Sequence, residues 1–226
     1  MDEAVADIPD GSSIAIGGFF TAGTPAQLTR ALARQGAKGL TIITQQMGPG
    51  NEEINELVSH GQVRKAICNY PFHRSPTQGA SSPFEKAVRA GEIEVEVYPM
   101  GTFIEKMRAG GAGIAGFFTP TGVGTVVEWG KEKRVFNGRE YLLELAITPD
   151  YAFVYAWKGD RMGNLVCRKT ARNYNPEMAK AARVTIAAVE QIVEPGELDP
   201  DGIHIPSVYV QRAVEVGRQD YIPSID

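Results

Sequence analysis

Apolar and polar positions alternate along the first half of the chain between two periods. Ser13-Ile14-Ala15-Ile16-Gly17 is a short apolar run closed by glycine, the pattern of a buried strand. Leu28, Ala31 and Leu32 then recur at helical spacing. Thr24 is placed to be the N-cap and Pro25 the first helical residue of that segment, with Gly36 as its stop. The same pair of patterns returns twice. Leu40–Thr44 and Val63–Asn69 read as strands, Glu52–His60 and the segment opened by Ser82-Pro83 and stopped at Gly91 as helices. Ile93–Tyr98 alternates apolar with acidic residues, a half-exposed strand, and Thr102–Ala109 is helical again. Strands alternating with helices imply right-handed βαβ units and a parallel sheet.

The texture changes near Gly122. Thr125-Val126-Val127, Arg134–Phe136, Tyr141–Ile147, Tyr151–Trp157, Leu165–Cys167, Val184–Val193 and Ile205–Val214 read as strands, interrupted by one helix near Pro176–Ala182. Asn137-Gly138 between apolar runs signals a type I′ hairpin. The expected fold is therefore α/β: a parallel-rich open sheet with flanking helices and a β-rich, mixed or antiparallel second half. No linker or fixed-period repeat divides it, so one domain over 1–226 is expected, with a β-rich excursion at about 122–170. Met1–Asp7 reads as the end of a helix without its start, so a native chain beginning a few residues earlier is expected.

Composition narrows the class. Two cysteines, Cys68 and Cys167, cannot build a multi-disulfide framework or a four-thiolate zinc site. With no signal peptide or long apolar run, the expected location is cytoplasmic. A net charge of -4 with scattered Lys and Arg argues against nucleic acid. The 25 glycines are uneven: four lie between Gly11 and Gly23 and seven between Gly101 and Gly124.

The first glycine window, Asp10–Pro25, is strand, glycine loop, helix start, a geometry that lets backbone approach a ligand and aims free N–H groups at an anion. It is not a P-loop, because Thr24-Pro25 replaces Lys-[Ser/Thr] after Gly23. The bland reading, a tight strand-to-helix turn, carries equal weight on pattern alone. The second window contains Gly111-Ala112-Gly113-Ile114-Ala115-Gly116, a literal G-x-G-x-x-G. A helical pattern precedes it and Phe117–Pro120 follows it, so dinucleotide binding is rejected there. Thr119, Thr121 and Thr125 remain able to bond a ligand or the backbone. The histidines do not cluster: His60 reads as a helix end, His73 sits in a Pro-flanked loop and His204 among strands. Cys68 reads as a buried thiol, and Glu52-Glu53 and Glu92/Glu94/Glu96 as solvated faces. Nothing here is a self-contained catalytic set.

The stretch Asp10–Pro25 resembles the signature of family I coenzyme A transferases: Asp-Gly, two free positions, three apolar residues, Gly-Gly-Phe, three free, Gly, one free, Pro. Met107–Gly113, Phe118–Thr125, Gly163–Leu165 and Ala171–Pro176 also resemble the alpha (A) subunit of that family, and the likeness spans essentially the whole chain. The resemblance implies the fold shared by that family and the sugar-phosphate isomerases. It also implies transfer of CoA from an acyl-CoA such as succinyl-CoA to a carboxylic acid, in the 3-oxoacid type acetoacetate or 3-oxoadipate. The chemistry is ping-pong, through a glutamyl-CoA thioester. CoA is then substrate and covalent intermediate, with no tightly bound cofactor and no metal. The glutamate belongs to a beta (B) subunit, in a Ser-Glu-Asn-Gly type segment that this chain lacks. The implied unit is an alpha2beta2 heterotetramer, with no catalytic nucleophile in this chain.

By the same resemblance, Gly17, Gly18, Phe19, Phe20, Thr21, Ala22 and Gly23 form the segment assigned to CoA. Gln45 and Gln46 stand where many relatives carry Asn-Asn, and Met100 where many carry Gln within Pro-Gln-Gly-Thr. These three are the expected substrate-pocket residues. A thioether in place of an amide removes a donor and an acceptor. The departure therefore implies an acceptor acid with a less polar group near Met100 than acetoacetate offers. His73 and the Pro71–Ser82 loop are expected to shape the same pocket. Two other readings stand beside this one: a sugar-phosphate isomerase-like α/β enzyme, which would need an acid/base set within the chain, and a non-catalytic CoA- or nucleotide-binding module.

Overall fold

In chain order the first half runs α1 (Asp2–Val5), β1 (Ser13–Ile16), α2 (Ala26–Gln35), β2 (Leu40–Gln46), α3 (Glu52–Ser59), β3 (Val63–Tyr70), α4 (Pro83–Arg89), β4 (Glu94–Val97) and α5 (Met100–Gly111). The second half runs β5 (Gly116–Thr119), β6 (Lys133–Phe136), β7 (Arg139–Leu145), β8 (Tyr151–Asp160), β9 (Leu165–Val166), α6 (Asn175–Ala181), β10 (Val184–Val193) and β11 (Arg212–Glu215). This computed structural model describes residues 1–47, 51–72 and 82–218. His73 and residues 73–81 of the Pro71–Ser82 loop lie outside them.

The main sheet has the order β11-β10-β8-β1-β2-β3-β4, and every pair along this path is parallel. Period-2 alternation sorts its side chains into two cores. Ile14, Ile16 and Ile42 face Leu28, Leu32, Ile54, Leu57 and Phe84 of α2, α3 and α4. Ala15, Ile43, Val154 and Ala187 face Phe103 and Met107 of α5 and Met178 of α6. β2 is covered on both faces and buried at all seven positions, its mostly apolar start Leu40–Ile43 giving way to buried Thr44, Gln45 and Gln46 at its carboxyl end.

The second half is mixed, as expected. β8, β10 and β11 join the parallel sheet, with β8 next to β1. Apolar content alone could not separate these strands from antiparallel ones. Antiparallel ladders are confined, among the described residues, to the small sheet β5-β7-β6 and the β8–β9 hairpin, with isolated antiparallel bridges at Phe19–Ala22 and Leu165–Ile205. The Asn137-Gly138 turn closes β6 onto β7 with φ of 49° and 77°, positive at both central residues as a type I′ turn needs.

Three local expectations are corrected. Pro25 is the N-cap of α2 rather than its first residue, because the Thr24 hydroxyl turns back to donate to Phe20 O at 3.0 Å. Thr125–Val127 is not a strand: Val126–Glu128 is a 3-10 turn, capped by Thr125 Oγ1, which accepts from Val127 N–H. In Ile205–Val214, β structure is limited to a bridge at Ile205 and to β11, with a 3-10 turn at Ser207–Tyr209.

The small sheet is fastened to the main body by charge. Lys106 of α5 pairs with Glu144 of β7 at 2.9 Å, both almost wholly buried. Lys131 reaches the other oxygen of the same carboxylate. Both ammonium groups lie over the Tyr98 ring, at 4.2 and 5.1 Å from its centre. The Tyr98 hydroxyl donates to Glu96, and Glu94 and Glu96 each pair with Lys65 at 2.9 Å. Those two acids, expected as a solvated face, therefore grip the neighbouring strand. Burial alone would raise the Glu96 pKa, but the Tyr98 hydroxyl and Lys65 together hold it below the usual carboxylate range.

Candidate functional site

The chain leaves β1 to build β2, β3 and β4 on one side and returns to build β8 and β10 on the other. The strand order therefore reverses between β1 and β8. In open α/β sheets ligands bind in the crevice at such a point, outside the carboxyl ends of the strands. The segment Gly17–Gly23 leaves β1 at that crevice.

Its geometry shows what the glycines are for. β1 ends at Ile16 while β8 continues to Asp160, and the last link between them is Gly17 N–H to Phe153 O at 2.9 Å. Beyond it the gap is filled by Asn175. Its Oδ1 accepts from Tyr155 N–H at 2.9 Å, and its Nδ2 donates to Gly23 O and Ala171 O at 3.0 and 2.8 Å. A Cβ on Gly17 would stand 2.0 Å from that Oδ1. On Gly18 it would meet Thr24 Oγ1 at 2.4 Å, and on Gly23 the Ala171 carbonyl at 2.7 Å. Gly18 and Gly23 also have positive φ. The space freed by these three glycines is taken by the protein itself, as a tight strand-to-helix turn requires.

The rest of the loop is presented outward. Phe19 and Ala22 exchange both backbone hydrogen bonds at 3.0 Å around a two-residue turn, Phe20-Thr21. Phe20 has φ of 50°, a left-handed conformation costing about 1–3 kcal/mol for a bulky residue. Its N–H donates to Gln45 Oε1 at 3.2 Å, and its exposed ring tilts against Tyr70 at the end of β3. Phe19 stacks on Tyr174, which meets Phe103 of α5 edge-on. Asn173 Nδ2 donates to Ala22 O at 2.8 Å. Amides from the Ala171–Asn175 segment and aromatic rings thus hold the loop from two sides.

The remaining expected site residues share the carboxyl end of the sheet. Gln45 and Gln46 close β2; both are buried, and Gln46 O accepts from Asn51 Nδ2 at 2.8 Å. Met100 opens α5 after β4 and is 44% exposed. β4 is two strands from β2, about 10 Å by ordinary strand spacing, so Met100 and Gln45 flank one crevice rather than touch. Between them, Asn69 donates to Tyr98 O at 2.8 Å, while its Oδ1 and the Thr102 hydroxyl are buried with no hydrogen-bond partner among the described residues. Buried polar atoms are nearly always bonded, so these two atoms stand out beside the carboxyl end of β3 and the start of α5. Asn69 and Thr102 have no spacing signature, so nothing in the sequence marks them.

The other candidates are structural. Burial pushes the Cys68 and Cys167 thiols up to about 12, as fits inert core cysteines. His60 caps α3, and His204 Nδ1 accepts from Cys167 N–H at 3.1 Å. Thr119 and Thr125 bond backbone groups of their own turn.

Comparison with known proteins identifies the family. A family model described as Coenzyme A transferase matches residues 1–216. The chain is 48% identical over 213 residues to the A subunit of a 3-oxoadipate CoA-transferase from Pseudomonas putida, covering 94% of this chain and 90% of that one. It is 46% identical over 212 residues to the A subunit of a succinyl-CoA:3-ketoacid coenzyme A transferase from Helicobacter pylori (strain J99), covering 94% and 88%. Both names describe one of a set of subunits, which implies a partner in those enzymes. Among solved structures, an acyl-CoA transferase of E. coli O157:H7, captured as a thioester complex with CoA, superposes with a TM-score of 0.82 at 24% identity. That likeness covers 95% of this chain and 46% of that longer one.

Proposed function

This chain belongs to the coenzyme A transferase family, and from that premise we propose that it is the alpha subunit of a 3-oxoacid CoA-transferase, working with a beta subunit that carries the nucleophilic glutamate. The observation that carries the reading is the loop Gly17–Gly23 at the reversal of strand order, in a chain that aligns along nearly its whole length with enzymes named in this way.

The reaction runs in two halves. The partner's glutamate attacks the thioester carbonyl of the acyl-CoA, giving an acyl-glutamyl anhydride and CoA thiolate. The thiolate attacks the glutamyl carbonyl, forming glutamyl-CoA thioester and releasing the donor acid. The acceptor carboxylate then attacks that thioester to regenerate an anhydride and thiolate. Attack of the thiolate on the acceptor's acyl carbon yields the new acyl-CoA and free glutamate.

The part of this chain is to bind and orient. The turn Phe19–Ala22 faces the CoA, while Gln45, Gln46, Asn69, Met100 and Thr102 form the acyl side. The alpha2beta2 assembly and a cytoplasmic location belong to the same proposal. It gains support from the solved neighbour, whose chain is more than twice the aligned length and so leaves room for a second unit.

The test is co-expression with the partner chain and CoA exchange from succinyl-CoA or acetyl-CoA to a panel of acids. Transfer by the two-chain complex, silence of either chain alone, and a borohydride- or hydroxylamine-trapped thioester on the partner are expected. Full transfer by this chain alone, or none by the complex, would overturn the reading and return it to an isomerase-like enzyme or a binding module.

A further inference from the structure

The small sheet β5-β7-β6 carries apolar side chains on both of its faces. Strand register sorts them. Leu142 and Glu144 turn inward and are buried, Glu144 on Lys106 of α5. The opposite face holds Phe118, Phe136, Tyr141, Leu143 and Leu145, and none of these is buried. Phe136 meets Phe118 and Tyr141 edge-on, each ring pair at 5.4 Å, and Leu145 is 62% exposed. The turn that leads into β6 adds Trp129, 78% exposed. An antiparallel sheet that ends in water shows polar residues on its outer face. This outer face is aromatic and aliphatic instead.

Its charge says what kind of surface fits it. Arg134 lies over the Phe118 ring at 4.8 Å and Arg139 over the Tyr141 ring at 5.9 Å. Aromatic rings and arginines are the residues enriched at protein interfaces. Arg134 pairs with Glu132 of its own strand end, whereas Arg139 has no carboxylate partner among the described residues. A two-fold contact would set the same patch against itself. The acid on this face, Glu132, is already held by Arg134, so a second copy has no free carboxylate to offer Arg139. A different chain can supply one.

The face also lies near the place where a second chain is needed. Lys131, just before β6, reaches over the Tyr98 ring at 5.1 Å, and Tyr98 stands two residues before Met100 at the crevice. By ordinary strand spacing the sheet face covers about 250 Å², against about 800 Å² a side in a stable complex. The occupant is therefore a folded chain that extends past the sheet.

We propose that the outward face of β5-β7-β6 is a docking surface for the beta subunit, through an apolar patch of that subunit edged by a carboxylate for Arg139. The buried Lys106–Glu144 pair then holds the docked chain in a fixed position relative to α5. The identity of the occupant rests on the function proposed above, while the face it covers is tested by assembly rather than by chemistry.

The experiment uses the co-expressed two-chain complex, with sedimentation and CoA exchange followed along one dilution series. Leu145→Lys places a charge on the face, and Arg139→Glu reverses its cation. Val135→Lys places a charge on the other side of β6, where Val135 is 63% exposed and opposite Glu140. Circular dichroism checks that each variant folds. Leu145→Lys and Arg139→Glu are each expected to raise the dissociation constant of the complex about tenfold or more, the loss of a central interface contact. Activity should fall on dilution and recover with concentration, with kcat per assembled complex unchanged. Val135→Lys should assemble like the parent.

Unchanged assembly of Leu145→Lys and Arg139→Glu would overturn the proposal. So would an equal loss in Val135→Lys, which would mark a general weakening of the sheet. Pairs of unlike chains that stay intact but no longer join into a tetramer would overturn it too, by giving the face to a second copy. A complex that assembles through this face yet transfers no CoA would leave the surface standing and remove the transferase reading instead.

Discussion

Gly17 shows how one residue can serve the fold where a ligand role was expected. The missing Cβ admits Asn175, which bridges β8 and the loop after β1 have parted. Gly17→Ala must displace that amide and is expected to cost about 1–3 kcal/mol, as overpacking does, read as a lower urea midpoint. Gly101 is the control: a Cβ there meets nothing within 4 Å and its φ is not positive, so Gly101→Ala should stabilise α5 by up to about 1 kcal/mol. Met100 belongs to the same scale. It is exposed at the start of α5, where an amide would restore a donor and an acceptor facing the crevice. Met100→Gln should shift acceptor preference toward acetoacetate in the exchange assay. An unchanged preference would remove Met100 from the specificity argument. The glycine pattern and Met100 could be picked out in the sequence. Asn175's bridging role could not, because its partners Tyr155, Gly23 and Ala171 meet only in three dimensions.

At the scale of elements, periodicity located the strands and helices of the first half to within a few residues. Its errors fell where side chains compete with the backbone, as at Thr24 and Thr125, whose hydroxyls bond the local chain and redirect it. The attachment of the small sheet was invisible, since Lys106 and Glu144 are far apart in sequence and look like surface charges. Their burial makes a strong claim. Lys106→Met should cost about 3–5 kcal/mol by leaving Glu144 under-compensated, while Lys106→Met with Glu144→Met should recover most of the loss. Lys131, which also reaches Glu144, is partly exposed and can turn to water. A double variant as unstable as the single one would count against charge compensation. Near-UV circular dichroism would follow the neighbouring Tyr98, and urea unfolding the energy.

For the whole molecule, several carboxylates set the response to acid. Burial raises Asp160, but bonds from the Asn164 side chain and from the Asn164, Met162 and Gly163 N–H groups outweigh it and hold the pKa low. The Ser13 hydroxyl and N–H do the same for Asp150. A carboxyl whose pKa is lower folded than unfolded takes up protons on unfolding. The stability it contributes is complete above the unfolded value near about 4 and is lost as pH falls through the folded value. Urea midpoints should therefore fall steeply below about pH 4, and Asp160→Asn should flatten that fall.

The sequence by itself determined the α/β class, the strand–glycine loop–helix unit and the likeness to CoA transferases, because each is written in local spacing. Only the tertiary structure decided that β8 returns beside β1, since strand order depends on which apolar faces pack together. That return creates the reversal at which the loop sits and sets Asn175 beneath it, with Asn69 and Thr102 to one side. Each pairing is long-range and leaves no periodic trace in the chain.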